Sequence, residues 1–320
     1  MNLSIVIPVY NERDNLPLLF DALYKIMTPM QKTWEVILVD DGSRDKSLSV
    51  LTEYAQKDPE HIRVISFRRN FGQTAAIAAG LDYSQGNIII LMDADMQNDP
   101  ADIPMMLAKL DEGYDLVSGW RKDRKDNAVT RNFPSMLANS LISRVTGVHL
   151  HDYGCTLKVY RRDVLEGFRL YGEMHRFIPV YASSVGANIT EVPVRHHPRK
   201  FGKTKYGLER TVKVILDLFT VKFLVAYSSK PIYLFGGAGS GLMFISVLIM
   251  LFLFIRRIFF AVGIATSPLL QISALTFVLG VQSIFMGLIA ELLVRTYHES
   301  QRKPTYTVRT KINLRRDSDD

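Results

Sequence analysis

Strand-like and helix-like segments alternate along the first 121 residues, and this alternation restricts the fold more than any other feature. Short apolar or β-branched runs, typical of strands, lie at 3–10, 34–43, 62–70, 87–95 and 114–121. Segments with helical spacing or high alanine content lie between them, at 15–27, 47–57, 72–84 and 100–113. This pattern predicts βαβ units with right-handed crossovers, and therefore an α/β domain with a mostly parallel sheet. Such sheets bind ligands beyond the carboxyl ends of their strands, where the polar motifs of this chain also lie.

The most acidic strand end is the segment DADMQND, which begins at Asp93. Asp93 and Asp95 are two residues apart, so in an extended strand their side chains point the same way. Two carboxylates at one place repel each other unless a cation lies between them. Mg²⁺ or Mn²⁺ suits such oxygen ligands and usually also binds a substrate phosphate. Gln97 adds a third candidate oxygen, whereas Asp99 before Pro100 is typical of a helix start.

A second acidic strand end, VDDGSRD, contains two adjacent aspartates followed by a glycine and a serine. The carboxylate of Asp40 or Asp41 is suited to accept a hydrogen bond from a nucleobase N–H. The same residues are equally typical of a turn, with Asp45 or Ser47 capping the helix that follows. The sequence alone leaves both interpretations open.

Two long apolar runs follow the α/β region, at 231–255 and 268–290, and neither contains a charged side chain. At a rise of about 1.5 Å per residue, each run is long enough to cross a hydrocarbon core of about 30 Å. The linker between them is too short for a domain, so the two runs predict a transmembrane hairpin. A buried hairpin inside a soluble protein is the alternative interpretation.

Basic residues are dense on both flanks of this hairpin, whereas its linker contains only Arg256 and Arg257. The positive-inside rule therefore predicts that both termini are cytoplasmic. The segment 209–229 is too polar to span and predicts amphipathic helices in the membrane interface, with packing on the domain as the alternative. The excess charge of the chain, +7 in total, is concentrated in 195–230 and favours an anionic lipid surface over nucleic acid as the partner. The single cysteine excludes an intrachain disulfide.

Five motifs occur in order along the chain: SIVIPVYNE, VILVDDGSRD, RRNFGQTAAIAAGLDYSQGNIIILMDADMQNDP, HDYGCTLKVYRRDV and RKFGKTKYG. Together they resemble the inverting family 2 glycosyltransferases of the GT-A fold, and most closely the polyprenyl-phosphate glycosyltransferases. The resemblance covers about residues 3 to 230, and the two-span tail resembles that of the bacterial members. It implies a nucleotide sugar as the donor, a polyprenyl phosphate as the acceptor and Mg²⁺ or Mn²⁺ as the cofactor.

The resemblance also implies roles for the residues that match the family motifs. The implied nucleotide-binding residues are Pro8, Tyr10, Asn11, Glu12, Asp40 and Asp93. The implied metal ligands are Asp93, Asp95 and Gln97. The implied phosphate-binding residues are Arg121, Arg131, Arg199 and Lys205. The implied catalytic residues are Asp95, Asp152, Arg199 and Lys205, with Asp152 near the transferred sugar. Thr204 stands where the family pattern has a serine, and it keeps the hydroxyl group.

The acceptor bears on the role of Asp152. A lipid monophosphate is already largely ionised at pH 7, because its second pKa is near 6. The acceptor therefore needs positioning more than deprotonation. We expect Asp152 to orient the sugar or the acceptor, and a role as a base is the weaker option.

These observations predict four segments: a GT-A catalytic domain at 1–204, interface helices at 205–229, a transmembrane hairpin at 231–294 and a cytoplasmic tail at 295–320. The predicted enzyme lies in the cytoplasmic (inner) membrane and transfers one sugar with inversion. UDP-glucose is the first expectation for the donor, and GDP-mannose and a UDP-aminoarabinose derivative stay open. A processive polysaccharide synthase is one alternative, but the chain lacks a QxxRW motif and further spans. A non-catalytic membrane scaffold is the other, and it leaves the acidic and basic motifs unexplained.

Self-association into a homo-oligomer is left open by the sequence. The segment 302–314 alternates like a strand, which predicts that it adds to the sheet of its own or a neighbouring subunit.

Overall fold

The computed structural model describes residues 1–122, 139–140, 142–144, 146–165, 170, 174–198, 232–260, 263–264, 267–300 and 306–314. The chain folds into two compact units, Met1–Val221 with Pro304–Asp320, and Lys222–Lys303. The predicted interface helices at 205–229 and the predicted end of the catalytic domain at 204 lie outside the described residues. Both stay predictions.

The first unit is built on an eight-stranded sheet. In chain order, its strands are β1 (Leu3–Val9), β2 (Trp34–Asp40), β3 (Ile62–Phe67), β4 (Ile88–Leu91), β5 (Leu116–Trp120), β6 (Lys158–Arg161), β7 (Ile189–Pro193) and β8 (Val308–Ile312). Their spatial order is β7-β5-β6-β4-β1-β2-β3-β8. β1 is parallel to β2 and β4, β2 to β3, and β5 to β7. β6 is antiparallel to β4 and β5, and β8 is antiparallel to β3.

Helices cover both faces of this sheet. They are α1 (Leu16–Met27), α2 (Ser47–Lys57), α3 (Gln73–Tyr83), α4 (Ile103–Asp111) and the short α5 (Ile178–Ser184). In β2, Val36 and Leu38 pack in the core cluster that includes α1, α2 and α4. Ile37 and Val39 point the other way and pack against α3. Burial on both faces explains why the strands lack polar alternation, and it confirms the predicted α/β class.

The C-terminal strand confirms the prediction made for the tail. β8 pairs with β3 of its own sheet, with Ile312 opposite Val64. Just before β8, the ring of Tyr306 stacks on that of Phe67, with the ring centroids 5.1 Å apart. The Tyr306 hydroxyl also donates a 2.7 Å hydrogen bond to Asp82. These contacts cover one edge of the sheet with residues that follow the second unit in the chain.

The second unit is a helical hairpin, α6 (Ile232–Phe260) and α7 (Pro268–Ser300). Among the described residues, Phe235–Phe259 and Pro268–Ala290 are long and apolar enough to cross a membrane. The two helices approach closely at Gly239, where an added Cβ would lie 2.5 Å from the carbonyl oxygen of Gly280. Further along, the hydroxyl of Ser246 donates to the carbonyl oxygen of Ser273 at 2.8 Å, and Ser273 donates back at 3.0 Å. Small residues inside the first run therefore allow the two helices to pack closely.

Candidate active site

Most of the predicted site residues that the structure describes lie along one edge of the sheet. β1, β2 and β4 are parallel, and β5 runs the same way as β4 because both are antiparallel to β6, so all four strands end at this edge. β6 runs the opposite way, so it begins at the same edge, and the segment that contains Asp152 leads into it. The topology therefore gathers motifs that are far apart in the chain. This gathering is what a sheet that binds a ligand at its carboxyl edge requires.

The acidic segment leaves the sheet earlier than its sequence predicts. The apolar run predicts a strand to Asp95, but β4 ends at Leu91. Asp93 and Asp95 therefore lie in the loop beyond the strand, and Met96 has a left-handed backbone with φ of 60°. The argument from strand periodicity was thus wrong for this pair. The two carboxylates are nevertheless neighbours, since the charge of Asp95 acts on the ionisation of Asp93.

Asp93 is held by two uncharged donors. Its Oδ1 accepts a 2.7 Å hydrogen bond from the amide of Gln73, and its Oδ2 accepts a 2.8 Å bond from the hydroxyl of Thr156. Burial and the nearby charge of Asp95 raise the pKa of Asp93 to about 6. Charge repulsion between two close carboxylates is what a bound cation would relieve.

The donor set fits a hard divalent cation. Asp95 is 6% exposed, and its Oδ1 accepts a 3.1 Å hydrogen bond from the backbone N–H of Gln97. Within the described residues, no group of three or more His, Cys, Asp or Glu side chains could hold a metal ion. Mg²⁺ and similar ions commonly bind through one or two carboxylates, with water and substrate phosphates completing the shell. Asp93 and Asp95 are suited to that role, and the predicted contribution of Gln97 stays a prediction.

The VDDGS segment forms the turn that its sequence allowed. One oxygen of Asp40 accepts a hydrogen bond from the backbone N–H of Ser43 at 3.1 Å, and the other accepts one from Ser66 at 3.0 Å. Asp41 accepts from the backbone N–H groups of Phe71 and Gly72 at 2.6 and 3.0 Å. Burial raises the pKa of Asp41 to about 6, although these two hydrogen bonds act to lower it. The predicted contact between Asp40 and a nucleobase stays a prediction.

The first motif is joined to this turn. The backbone N–H of Asn11 donates to the hydroxyl of Ser43 at 3.0 Å, and its side-chain oxygen accepts from the N–H of Arg44 at 2.8 Å. Asn11 has φ of 54°, a conformation that asparagine tolerates better than most residues. The N–H of Glu12 donates to Ser47 at 3.0 Å. The ends of β1 and β2 therefore form one connected wall.

Pro8 and Tyr10 belong to the same wall. Pro8 pairs with Val39 in the β1–β2 register and lines a small cavity beside Asp93. Tyr10 follows the end of β1 and is half-buried. The nucleotide roles implied for these two residues stay predictions.

Arg121 and Asp152, for which the resemblance implies separate roles, form an ion pair with each other. Arg121 Nε donates to Asp152 Oδ2 at 2.7 Å, and Arg121 Nη2 donates to Asp152 Oδ1 at 3.0 Å. The N–H of Gly154 donates to the same carboxylate at 3.0 Å. Burial works against the charge of Arg121, but Asp152 outweighs it and raises the arginine pKa above its usual value. The positive charge of Arg121 also acts on Asp93, where it partly offsets the rise in pKa caused by burial and Asp95, so the pair lies close to the acidic loop.

The other predicted basic residues, Arg131, Arg199 and Lys205, lie outside the described residues. The segment just before Arg199 is described, and it is fastened to the acidic loop. The N–H of His197 donates to the carbonyl oxygen of Gln97 at 2.9 Å, and His196 pairs with Asn98 in an antiparallel bridge. The chain therefore enters the predicted acceptor motif from beside the acidic loop.

Sequence reasoning missed Gln73, Thr156, Asn98 and Lys158. Lys158 is 3% exposed, and its Nζ donates to the carbonyl oxygens of Tyr153 and Cys155. The sequence did contain an indication of Lys158, namely a lysine within the short apolar run TLKVY. A lysine buried there needs hydrogen-bond acceptors around its amine, and carbonyl groups supply them. Thr156 and Asn98 gave no signal, because their roles depend on contacts between distant segments.

Known proteins resemble this chain over nearly its whole length. Residues 4–168 match the glycosyl transferase family 2. The dodecaprenyl-phosphate galacturonate synthase of Rhizobium johnstonii is 43% identical over 312 residues, which cover 97% of this chain and 92% of that protein. The undecaprenyl-phosphate 4-deoxy-4-formamido-L-arabinose transferase of Pseudomonas aeruginosa is 37% identical over 306 residues, covering 95% and 88%.

Solved structures share the fold at low sequence identity. Glucosyl-3-phosphoglycerate synthase from Mycobacterium tuberculosis, in complex with Mn²⁺, UDP and phosphoglyceric acid, matches with a TM-score of 0.53 and 18% identity, covering 69% of this chain and 78% of that one. Mannosyl-3-phosphoglycerate synthase from Rubrobacter xylanophilus matches with a TM-score of 0.51 and 15% identity, covering 70% and 74%. At this identity the matches show the fold alone, and they confirm the predicted GT-A architecture. The family match, the near full-length relatives and the fold together establish that this chain is a glycosyltransferase and belongs to glycosyltransferase family 2.

Proposed function

We propose that this enzyme transfers a single sugar, with inversion, from a nucleotide sugar to a polyprenyl phosphate. The observation that carries the proposal is the carboxyl edge of the sheet, where Asp93 and Asp95 lie next to the Arg121–Asp152 pair. The names of two relatives, both similar over most of this chain, specify a dodecaprenyl or undecaprenyl phosphate. These observations favour a lipid phosphate acceptor over the growing polysaccharide of a processive synthase.

Asp93 and Asp95 would hold Mg²⁺ or Mn²⁺. When bound, such a cation supplies positive charge to the nucleoside diphosphate that leaves. Arg121 contributes further positive charge at the same edge, since its buried guanidinium partly offsets the rise in the pKa of Asp93 that burial and Asp95 cause. Positive groups arranged in advance around a leaving diphosphate stabilise the charge where it develops.

Asp152 is better placed to orient than to remove a proton. Both of its oxygens already accept hydrogen bonds from Arg121, and Oδ1 also accepts one from the backbone N–H of Gly154. A polyprenyl phosphate is largely ionised at neutral pH and attacks without losing a proton to the protein. The proposed role of Asp152 is therefore to fix the guanidinium of Arg121 and the backbone of the following turn. A carboxylate that acts as a catalytic base would need to accept fewer hydrogen bonds than Asp152 does.

The acceptor side is assigned to Arg199 and Lys205, with Arg131 as a further phosphate contact. Support comes from the segment that precedes Arg199, which is tied to the acidic loop through His197 and Asn98. Arg195 reinforces this tie, since its guanidinium lies 2.8 Å from the carboxylate of Asp102 at the start of the next helical turn. A lipid phosphate held by residues that follow this segment would lie near the donor diphosphate.

We propose that the hairpin anchors the enzyme in the cytoplasmic membrane with both termini in the cytoplasm. Support comes from the two apolar helices and from the basic residues that flank them in the sequence. The outer faces of the described helices expose large apolar side chains, including Phe244, Leu248 and Phe285. Such faces suit lipid and do not suit water. Self-association into a homo-oligomer stays an open prediction.

The identity of the donor sugar is the most specific part of the proposed reaction. The sequence led us to expect UDP-glucose, but the two relatives above are named for galacturonate and 4-deoxy-4-formamido-L-arabinose. Purified enzyme should therefore be offered UDP-glucose, GDP-mannose and the nucleotide-activated forms of these two sugars, with a short polyprenyl phosphate and Mn²⁺ or Mg²⁺. We expect one of the latter two to be the best donor. Absence of transfer from every donor would refute the proposed reaction.

The acidic loop is tested separately. Asp95→Asn should reduce transfer by at least about 100-fold without unfolding the protein, because it removes a charged oxygen where the leaving group is stabilised. The matched control is Asp111→Asn, at the exposed end of α4, which should transfer sugar like the wild type. Near-normal transfer by Asp95→Asn would contradict the metal assignment.

A further inference from the structure

Thr156 lies between two parts of the acidic loop. Its hydroxyl donates a 2.8 Å hydrogen bond to Asp93 Oδ2, at the beginning of the loop. The side-chain amide of Asn98, five residues further along, donates a 2.8 Å hydrogen bond to the Thr156 oxygen. A hydroxyl group has one proton to donate and lone pairs that accept. Since Asn98 occupies the oxygen as a donor, the hydroxyl proton is directed to Asp93.

The backbone next to Thr156 is held in place by Lys158 and by the strands on either side of β6. Lys158 lies in β6, opposite Leu91 of β4 and Ser118 of β5, so its position is set by two neighbouring strands. Its buried amine donates to the carbonyl oxygens of Tyr153 and Cys155, on either side of the turn before Thr156. The turn cannot shift along β6 without leaving this amine buried and without acceptors, which is costly.

Asn98 is equally fixed. It is 4% exposed, and its backbone pairs with His196 in the segment that leads to the predicted acceptor motif. The amide of Gln73, at the start of α3, holds the other oxygen of Asp93. The carboxylate of Asp93 is thus oriented directly by Gln73 and Thr156, from two other segments of the chain, and indirectly by Asn98 through Thr156. Ionised carboxylates have about four acceptor positions, so both oxygens keep capacity for a further partner.

We propose that Thr156 is a positioning residue for the transfer reaction: its hydroxyl, directed by Asn98, sets the orientation of the Asp93 carboxylate toward the cation and the donor diphosphate. The inference rests on the proposed function and gives a role to two residues, Thr156 and Asn98, to which the sequence motifs assigned none. Groups that hydrogen-bond to a metal ligand from behind fix its orientation, and their loss typically reduces metal affinity or activity about 10–100-fold. A residue that only filled space would not produce this effect, because valine has nearly the shape of threonine.

The test uses the full-length enzyme in detergent and two readouts, Mn²⁺ binding in the presence of UDP, measured by electron paramagnetic resonance of free Mn²⁺, and sugar transfer. Thr156→Val should weaken Mn²⁺ binding by about tenfold or more, whereas Thr156→Ser, which keeps the hydroxyl, should stay within about threefold of wild type. Thr52→Val is the matched control, because the hydroxyl of Thr52 donates to the carbonyl oxygen of Leu48 within α2. It should bind Mn²⁺ like the wild type.

Wild-type Mn²⁺ affinity in Thr156→Val, or equal weakening in the valine and serine variants, would overturn the inference while leaving the proposed function in place. Should Thr156→Val not fold, Asn98→Ala takes its place. This variant keeps the threonine but removes the amide that directs its hydroxyl proton to Asp93, so it should also weaken Mn²⁺ binding. Unchanged binding in that variant would equally overturn the inference. A wild-type enzyme that neither binds Mn²⁺ with UDP nor transfers sugar would refute the proposed function itself.

Discussion

Replacing Asp152 by asparagine should leave the guanidinium of Arg121 buried without its counter-charge. The two side chains are 8% and 14% exposed, and hydrogen bonds of 2.7 and 3.0 Å join them. Breaking a buried ion pair from one side costs about 3–5 kcal/mol, because the remaining charge does not regain water. In a folded unit of about 240 residues, each kcal/mol lowers the Tm by about 2–4 °C. We therefore expect Asp152→Asn, and likewise Arg121→Met, to lower the Tm by roughly 6–20 °C.

The double variant tests whether the loss comes from the pair itself. With both charges removed, no unpaired ion remains, so the double variant should be more stable than the sum of the two single losses by about 2 kcal/mol or more. Thermal unfolding of the full chain in detergent, followed by the fluorescence of Trp34 and Trp120, measures all three variants. The exposed pair of Glu53 and Lys57, one turn apart on α2, is the matched control and should show no measurable coupling.

Small and additive losses in the single variants would refute the reasoning, since they would mean that Arg121 reaches water when Asp152 is neutral. Sugar transfer gives an independent result. A double variant that recovers stability but not transfer would show that at least one of the two side chains is also needed for the reaction. Recovery of both would remove the implied roles of Arg121 and Asp152 in the chemistry.

Three further predictions concern other parts of the molecule. Tyr306→Ala should destabilise the catalytic unit by about 3–5 kcal/mol in thermal unfolding, because the ring is buried, whereas Tyr306→Phe should lose only the hydrogen bond to Asp82, about 1–3 kcal/mol. The pKa of Asp41 is raised from 3.8 to about 6, so its protonation favours folding below pH 3.8 and that contribution is lost as the pH rises through 6. Between roughly pH 5 and pH 7.5, the wild type should therefore lose about 1 kcal/mol of stability that Asp41→Asn does not lose. The same pH profile in both proteins would contradict this. Gly239→Leu should lower the thermal stability of the hairpin in detergent, whereas Gly241→Leu, with nothing within 4 Å of the added Cβ, should not; equal effects would exclude close packing at Gly239.

The sequence predicted the features that depend on local periodicity. The alternation of strands and helices, the two apolar helices and the alternating tail all follow from side-chain patterns within one segment, because each element must cover an apolar face. The position of the acidic loop at the sheet edge followed from the same reasoning. β8 is the clearest case, since the alternation in 302–314 predicted a strand that the structure pairs with β3.

Features that depend on partners distant in the chain were not predictable. β4 ends at Leu91 because the next residues bond to α3 and to the segment before β6, which the strand pattern cannot show. The insertion of the antiparallel β6 between β4 and β5 had no local signal, because its run is only four residues long and contains two basic residues. The Arg121–Asp152 pair joins side chains 31 residues apart, and each alone resembled a substrate contact.

The position of β8 changes how the proposed membrane role of the helical hairpin should be tested. The hairpin is an insertion in the chain of the catalytic unit, since that unit resumes at Pro304. Tyr306 stacks on Phe67, whose ring meets that of Phe71 edge-on at 5.6 Å, and the N–H of Phe71 donates to Asp41 beside the predicted nucleotide wall. A chain cut at residue 230 would therefore lose both the hairpin and the support of this loop, so its lost activity could not be ascribed to the membrane. Replacing 232–300 by a short flexible linker keeps β8. We expect that variant to bind donor nucleotide like the wild type and to transfer sugar to a soluble short-chain acceptor, while losing transfer to polyprenyl phosphate in vesicles. Equal loss on both acceptors would mean that the hairpin contributes to the catalytic unit beyond anchoring it.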